Sequence, residues 1–253
     1  MLSKIGFLVF GLVIYCLAAS GAFGEPGSSS ARGDAADLAR AALTAKARGQ
    51  CASAIALFDE ALRQGSLPRG ERGLLIYSRG VCFEGLGIRE RALADLNAAI
   101  ALIPDFANSY IYRGIVWSEL REHDRAIADL EHAKRLRPDD PLILNNLGNA
   151  FAAKGEQDKA ILNFNRAIAL RGDYGEAYYN RASAYVALGD RPHAIGDFNE
   201  AIRLRPSYSE AYNNRGVLKL AQGEIEGAVA DFDAAGRLSP LDVAALMNRA
   251  NAR

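Results

Sequence analysis

Residues 175–208 read GEAYYNRASAYVALGDRPHAIGDFNEAIRLRPSY, and residues 209–242 repeat that layout as SEAYNNRGVLKLAQGEIEGAVADFDAAGRLSPLD. The two stretches are equal in length, and Pro206 and Pro240 close them at the same place. Pro104 and Pro138 continue the same 34-residue grid upstream, with Gly172 at the remaining point. A fixed period of this length marks a stacked repeat, in which one small unit buries its apolar face only against its neighbours. The grid places units at 73–106, 107–140, 141–174, 175–208 and 209–242. A more diverged unit occupies about 35–68, before a four-residue insertion, and 243–253 is left as an end helix.

The residues that recur on the grid are those a pair of packed antiparallel helices needs. Each first helix carries a small residue near its middle: Gly80, Gly114, Gly148, Ala182 and Gly216. Each second helix opens on another: Ala92, Ala126, Ala160, Ala194 and Ala228. Small residues let the backbones approach, and large neighbours fill the flanking grooves. Those neighbours are Phe83, Trp117, Phe151 and Tyr185 on the first helices, and Leu96, Leu130, Phe164, Phe198 and Phe232 on the second. Ala99, Ala133, Ala167, Ala201 and Ala235 follow three residues later, on the same helical face. Gly87, Gly155, Gly189 and Gly223 stand where a helix ends in a left-handed residue. Asp140-Pro141 reads as an N-cap followed by proline at the first helical position.

One covariation inside the chain points to an internal brace. Arg79, Arg113, Arg181 and Arg215 each have an aspartate sixteen residues on: Asp95, Asp129, Asp197 and Asp231. The unit with Leu147 in place of arginine has Asn163 in place of aspartate, so the two charges come and go together. The expected result is an Arg–Asp pair joining the two helices of a hairpin, since the planar guanidinium suits a partly buried carboxylate. Arg249 occupies the same place in the end helix.

The small–aromatic–alanine–aromatic–alanine–proline series resembles the tetratricopeptide repeat (TPR) family over about 35–253. Departures gather at the ends, with Lys219 and Gly236 in the last full unit and Ala42 and Ala45 in the first. The resemblance implies an all-α fold, a right-handed superhelical solenoid of antiparallel helix pairs. It also implies that first helices line the concave side, where a partner lies. The sixth position of those helices then reads Ser78, Tyr112, Asn146, Asn180, Asn214 and Asn248, a row rich in asparagine. Tyr77, Asn145, Tyr179 and Asn213 precede the row, and Asn149 stands one turn on. Amides both donate and accept, so such a row suits an extended peptide backbone of any sequence; the competing reading is that the amides bond within their own hairpins. Relatives that clamp a terminal carboxylate use Lys and Arg at these positions, and this row has none. An internal, extended segment of a partner is therefore the expected ligand.

Other chemistry is thinly represented. With 30 basic and 30 acidic residues the net charge is zero, which gives no electrostatic pull towards nucleic acid. His123, His132 and His193 lack ligand-spaced partners, and the glycines are explained by packing and capping, so no metal, cofactor or enzymatic activity is expected. Cys51 and Cys82 fall on neighbouring hairpins, where an oxidising compartment would favour a disulfide and a reducing one two small buried thiols.

The N-terminus sets the expected location. Lys4 precedes an apolar run from Ile5 to Ala19, closed by Ser20, Gly21 and Ala22. This is the layout of an export signal over 1–24, cut after Ala22 or Gly24; the alternative is an uncleaved membrane anchor. Tyr15 before Cys16 does not suit a lipoprotein signal. A flexible tether over 25–34 is expected to follow. The combined expectation is an exported, periplasmic or secreted, non-enzymatic scaffold for other proteins. A self-associating structural component of a cell-envelope or secretion assembly is the alternative.

Overall fold

In the computed structural model the backbone is described for residues 29–65, 67–240 and 243–251. The expected signal, 1–24, and the start of the tether lie outside these residues. All described regular structure is helical: α1 (Ser29–Ala47), α2 (Cys51–Arg63), α3 (Arg69–Gly85), α4 (Arg89–Leu102), α5 (Ala107–Glu119), α6 (His123–Leu136), α7 (Pro141–Ala153), α8 (Gln157–Leu170), α9 (Gly175–Leu188), α10 (Arg191–Leu204), α11 (Ser209–Leu220), α12 (Ile225–Leu238) and α13 (Val243–Asn251). From α5 onward the first helices begin at 107, 141, 175 and 209, on the 34-residue period.

The start of α1 departs from expectation. Residues 29–34, read as tether, are helical. The alanines that follow explain it: Ala35, Ala39 and Ala42 are fully buried, so the packed face begins early, and Ala31 and Arg32 extend it as strong helix formers. No described helix is long and apolar enough to cross a membrane.

The chain divides into two compact units, residues 1–121 and 122–253. In the first, α1 packs on α2, α2 on α3, α3 on α4 and α4 on α5, while α3 also touches α1 and α5. In the second, each helix from α6 to α13 packs on the next, and α9 and α13 also reach back to the first helix before them. Phe58 and Leu96 are fully buried in the first unit; Phe164, Phe198 and Phe232 are in the second. Each contributes about 1.5–3 kcal/mol by leaving water. A β-carbon on Gly148 or Gly216 would collide with the ring of Phe164 or Phe232, which is why those helices carry glycine where they cross.

Turn chemistry follows the grid, with one exception. Gly87, Gly155, Gly189 and Gly223 end their first helices at positive φ. Arg121 occupies the same place and takes φ 61°, a conformation that costs an L-residue about 1–2 kcal/mol. Asp140 caps α7 by accepting the Leu142 amide at 2.9 Å, with Pro141 at the first turn.

Candidate functional site

The arginines act as two-way forks. Arg79 grips both oxygens of Asp95 at 2.7 Å; Arg181 holds Asp197 at 2.6 and 2.7 Å, and Arg215 holds Asp231 at 2.6 and 2.9 Å. These bonds join a first helix to its own second helix, as the covariation implied. The remaining terminal nitrogen of each arginine reaches back to the previous hairpin. Arg79 bonds Asp59 at 2.5 Å, while Arg113, Arg181 and Arg215 bond Asn97, Asn165 and Asn199 at 2.6 Å. Tyr110, Tyr178 and Tyr212, one turn earlier on their helices, lie with their rings 5.5–5.6 Å from the guanidinium carbons of Arg113, Arg181 and Arg215.

The Arg79 guanidinium is held above its ordinary pKa by the Asp95 hydrogen bonds, against the opposing effect of burial. For Arg181 burial is the larger influence and disfavours the charge, but Asp197 overcomes it and the pKa is again raised. Arg113 and Asp129 belong to different units, and the Arg249 side chain lies outside the described residues. Lys219, a departure from the family pattern, adds a second cation to Asp231 at 2.9 Å.

The backward acceptors carry a sequence signal of their own. Asn97, Asn165 and Asn199 sit on the 34-residue grid, with Asp59 their counterpart before the insertion. The unit before Leu147 has Glu131 at that place instead.

In the second unit the asparagine row is also an inter-repeat device. Asn180 donates to the Asn145 side-chain oxygen at 3.0 Å, Asn214 to the Tyr179 hydroxyl at 3.2 Å and Asn248 to the Asn213 oxygen at 2.9 Å. Each donor thus bonds the preceding first helix, neither its own hairpin nor open solvent. Each amide keeps a second N–H and a carbonyl oxygen. Asn146 differs: its side-chain nitrogen is buried without a partner. Asn145 is 1 % exposed, so it supports the row from beneath and presents no contact surface. Asn146, Tyr179, Asn180, Asn213, Asn214 and Asn248 are half-buried, and Asn149 and Val217 are exposed.

The first unit's row is aromatic. Tyr77 is 3 % exposed, packed edge-on against Phe106 and Tyr112 with ring centres 4.9 and 5.7 Å apart. Ser78 is likewise covered, and Tyr112 is half-buried. Burial raises the Tyr112 phenol above its usual range. The Lys46 ammonium, pulled below its ordinary value by burial, stands 5.2 Å from the Tyr77 ring centre. Cys51, half-buried at the start of α2, and Cys82, buried in α3, are thiols, and burial pushes Cys82 up to about 12. Among the described residues no cluster of three or more His, Cys, Asp or Glu side chains is placed to hold a metal ion.

Two profiles of one repeat family match the sequence. The profile described as "Tetratricopeptide repeat" matches residues 39–107 and 179–243, over half of the chain, and the one described as "TPR repeat" matches 148–189. The chain belongs to the tetratricopeptide repeat family. No curated protein sequence matches this TPR chain.

Among solved structures, a chain of the APC/C hetero-tetramer Cut9–Hcn1 superimposes with a TM-score of 0.76 at 17% identity. The match covers 98% of this TPR chain but only 46% of that one. A tetratricopeptide repeat protein from Parabacteroides merdae gives 0.68 at 19% identity, covering 98% and 92% of the two chains. YrrB, titled a TPR protein with an unusual peptide-binding site, gives 0.56 at 21% identity, covering 76% and 97%. At these identities the likeness is one of fold. TPR folds are general protein–protein interaction scaffolds and are generally non-enzymatic.

Proposed function

We propose that this chain is a non-enzymatic adaptor whose second unit binds an extended segment of a partner protein along its first-helix row. The observation that carries this reading is the set of bonded asparagines. Asn180, Asn214 and Asn248 are each oriented by a bond to the previous helix, yet each remains half-buried with amide valences to offer. Preorganised amides bind a peptide backbone without the entropy cost of being ordered at that moment. The absence of Lys and Arg from the row favours an internal segment over a terminal carboxylate.

The bonds also dictate the test. Removing Asn180 or Asn214 would disturb the stack as well as the surface, so the exposed positions are the cleaner probes. A photo-crosslinking residue at Asn149 or Val217 should trap a discrete partner in the cell that makes the protein, and the same residue at exposed Glu226 on α12 should not. Equal trapping from both faces, or none from the row, would overturn the proposal. Sedimentation separates the self-associating alternative, which requires a concentration-independent oligomer.

The location is part of the same proposal: the apolar run 5–19 and the small residues after it support export. N-terminal sequencing of the cell-derived chain should begin at Phe23 or Glu25; a start at Met1 or Leu2 would contradict cleavage. In an oxidising compartment Cys51 and Cys82 should pair. Thiol labelling of the denatured chain should then rise by two with reductant, and equal labelling would exclude the bond.

A further inference from the structure

Three places along a first helix lie against the second helix of the same hairpin. At the first place, a β-carbon on Gly73 would meet Leu102 and Ile103, and one on Gly175 would meet Leu204, near the end of that second helix. At the fifth place the Tyr179 ring centre lies 5.7 Å from that of Phe198. At the eighth, Gly80 lies against Ala92, Asp95 and Leu96, and Gly216 against Asp231 and Phe232. Along α13 the same three places are Val243, Met247 and Ala250. Val243 is 65 % exposed and Met247 59 %. Ala250 is exposed as well, whereas Gly80, Gly114, Gly148, Ala182 and Gly216 at its place are all buried. α13 is nonetheless seated on the array, packed on α11 and α12 and held by the bond from Asn248 to Asn213.

We propose that this stripe of α13 binds an acidic amphipathic helix of a partner protein, laid antiparallel along it as a second helix lies along its first. The other hairpins supply the template. Places 243, 247 and 250 are four and then three residues apart, the spacing of one helical face, which suits another helix better than an extended strand. Ala250 is small enough for two backbones to cross there. The direction follows from the same contacts: the first place meets the end of a second helix and the eighth meets its beginning.

Charge selects the partner. Arg249 occupies the register at which Arg79, Arg181 and Arg215 hold Asp95, Asp197 and Asp231 of their second helices. Each of those aspartates stands three residues after a small alanine and one before Leu96, Phe198 or Phe232. The partner helix is therefore expected to read Ala-x-x-Asp-Phe or Ala-x-x-Asp-Leu. A second copy of the same stripe fits less well, because α13 carries no acidic residue and self-pairing would set arginine against arginine. Val243, Met247 and Ala250 are not members of the asparagine row, so this site stands independently of the peptide groove.

The test is an NMR titration of the chain with a capped peptide of its own residues 224–238, an acidic second helix, carrying Gly227→Ala and Gly236→Ala to favour the helical state. The peptide should shift the Val243 and Met247 methyls in a saturable way. The same peptide with Asp231→Asn should bind about tenfold more weakly, the scale of one charged hydrogen bond. In the chain, Met247→Glu and Ala250→Leu change exposed side chains, so the fold should persist by circular dichroism while the shifts disappear. No saturable shift, binding undiminished by Asp231→Asn in the peptide, or binding that survives both chain variants would overturn the proposal. So would self-association of the chain alone, seen by sedimentation and abolished by Met247→Glu, which would give the stripe to a second copy.

Discussion

The hairpins at 141–174 and 175–208 share a period, helix lengths within one residue and a buried phenylalanine, yet they are joined to their surroundings differently. In the later one, Arg181 ties three helices together through Asp197 and Asn165. In the earlier one Leu147 is fully buried, and Asn163 turns back to its own helix at the Lys159 carbonyl. The same fold therefore tolerates a polar or an apolar joint at one place. This is what the energetics of buried ion pairs allow: an intact pair and a well-packed apolar substitute are close in stability, while a half-removed pair is costly.

That contrast can be attacked from several sides. The largest effect should come from Arg181→Leu alone, which strands Asp197 and lowers stability by about 3 kcal/mol in urea unfolding. A loss below about 1 kcal/mol would mean that Asp197 rehydrates freely and the fork is ornamental. Next is Gly148→Ala, where the new β-carbon meets the Phe164 ring and about 2 kcal/mol should be lost. Ala182 already carries a β-carbon at the corresponding place in the next hairpin, so a neutral outcome would show that Phe164 can move aside. Arg121→Gly should raise stability by about 1 kcal/mol by relieving a left-handed arginine, read as a shift in urea midpoint. Smallest of all, Leu147→Arg with Asn163→Asp should change stability by less than about 1 kcal/mol, since one joint replaces the other.

Much of this was legible in the sequence. The proline grid, the small residues and the left-handed glycines gave the helical hairpins because each reflects a local steric demand that recurs every 34 residues. The forward half of the fork was readable because Leu147 and Asn163 change together. The backward half was missed because Asp59, Asn97, Asn165 and Asn199 vary between acid and amide and precede their arginines, so no single hairpin displays the pair. The asparagine row was visible as a row, but its bonds run from one repeat to the next at a spacing of 35, which a hairpin-by-hairpin reading does not test. Tyr77 and Asn145 shared the groove register and still proved covered, since burial depends on the neighbouring side chains Phe106, Tyr112 and Asn180 as much as on helical face. The early start of α1 escaped notice because Gly27, Ser28, Ser29 and Ser30 suggest a linker, whereas the helix is held by buried Ala35 and Ala39 further on.

The most direct test of the account is a double-mutant cycle on Arg181→Leu and Asp197→Asn, which rebuilds in the braced hairpin the joint its neighbour already has. By equilibrium urea unfolding the double variant should lie closer to wild type than Arg181→Leu does, with a coupling of at least about 1.5 kcal/mol. Additive losses from the two substitutions would contradict the claim that the arginine fork and the leucine joint are interchangeable solutions to the same packing problem.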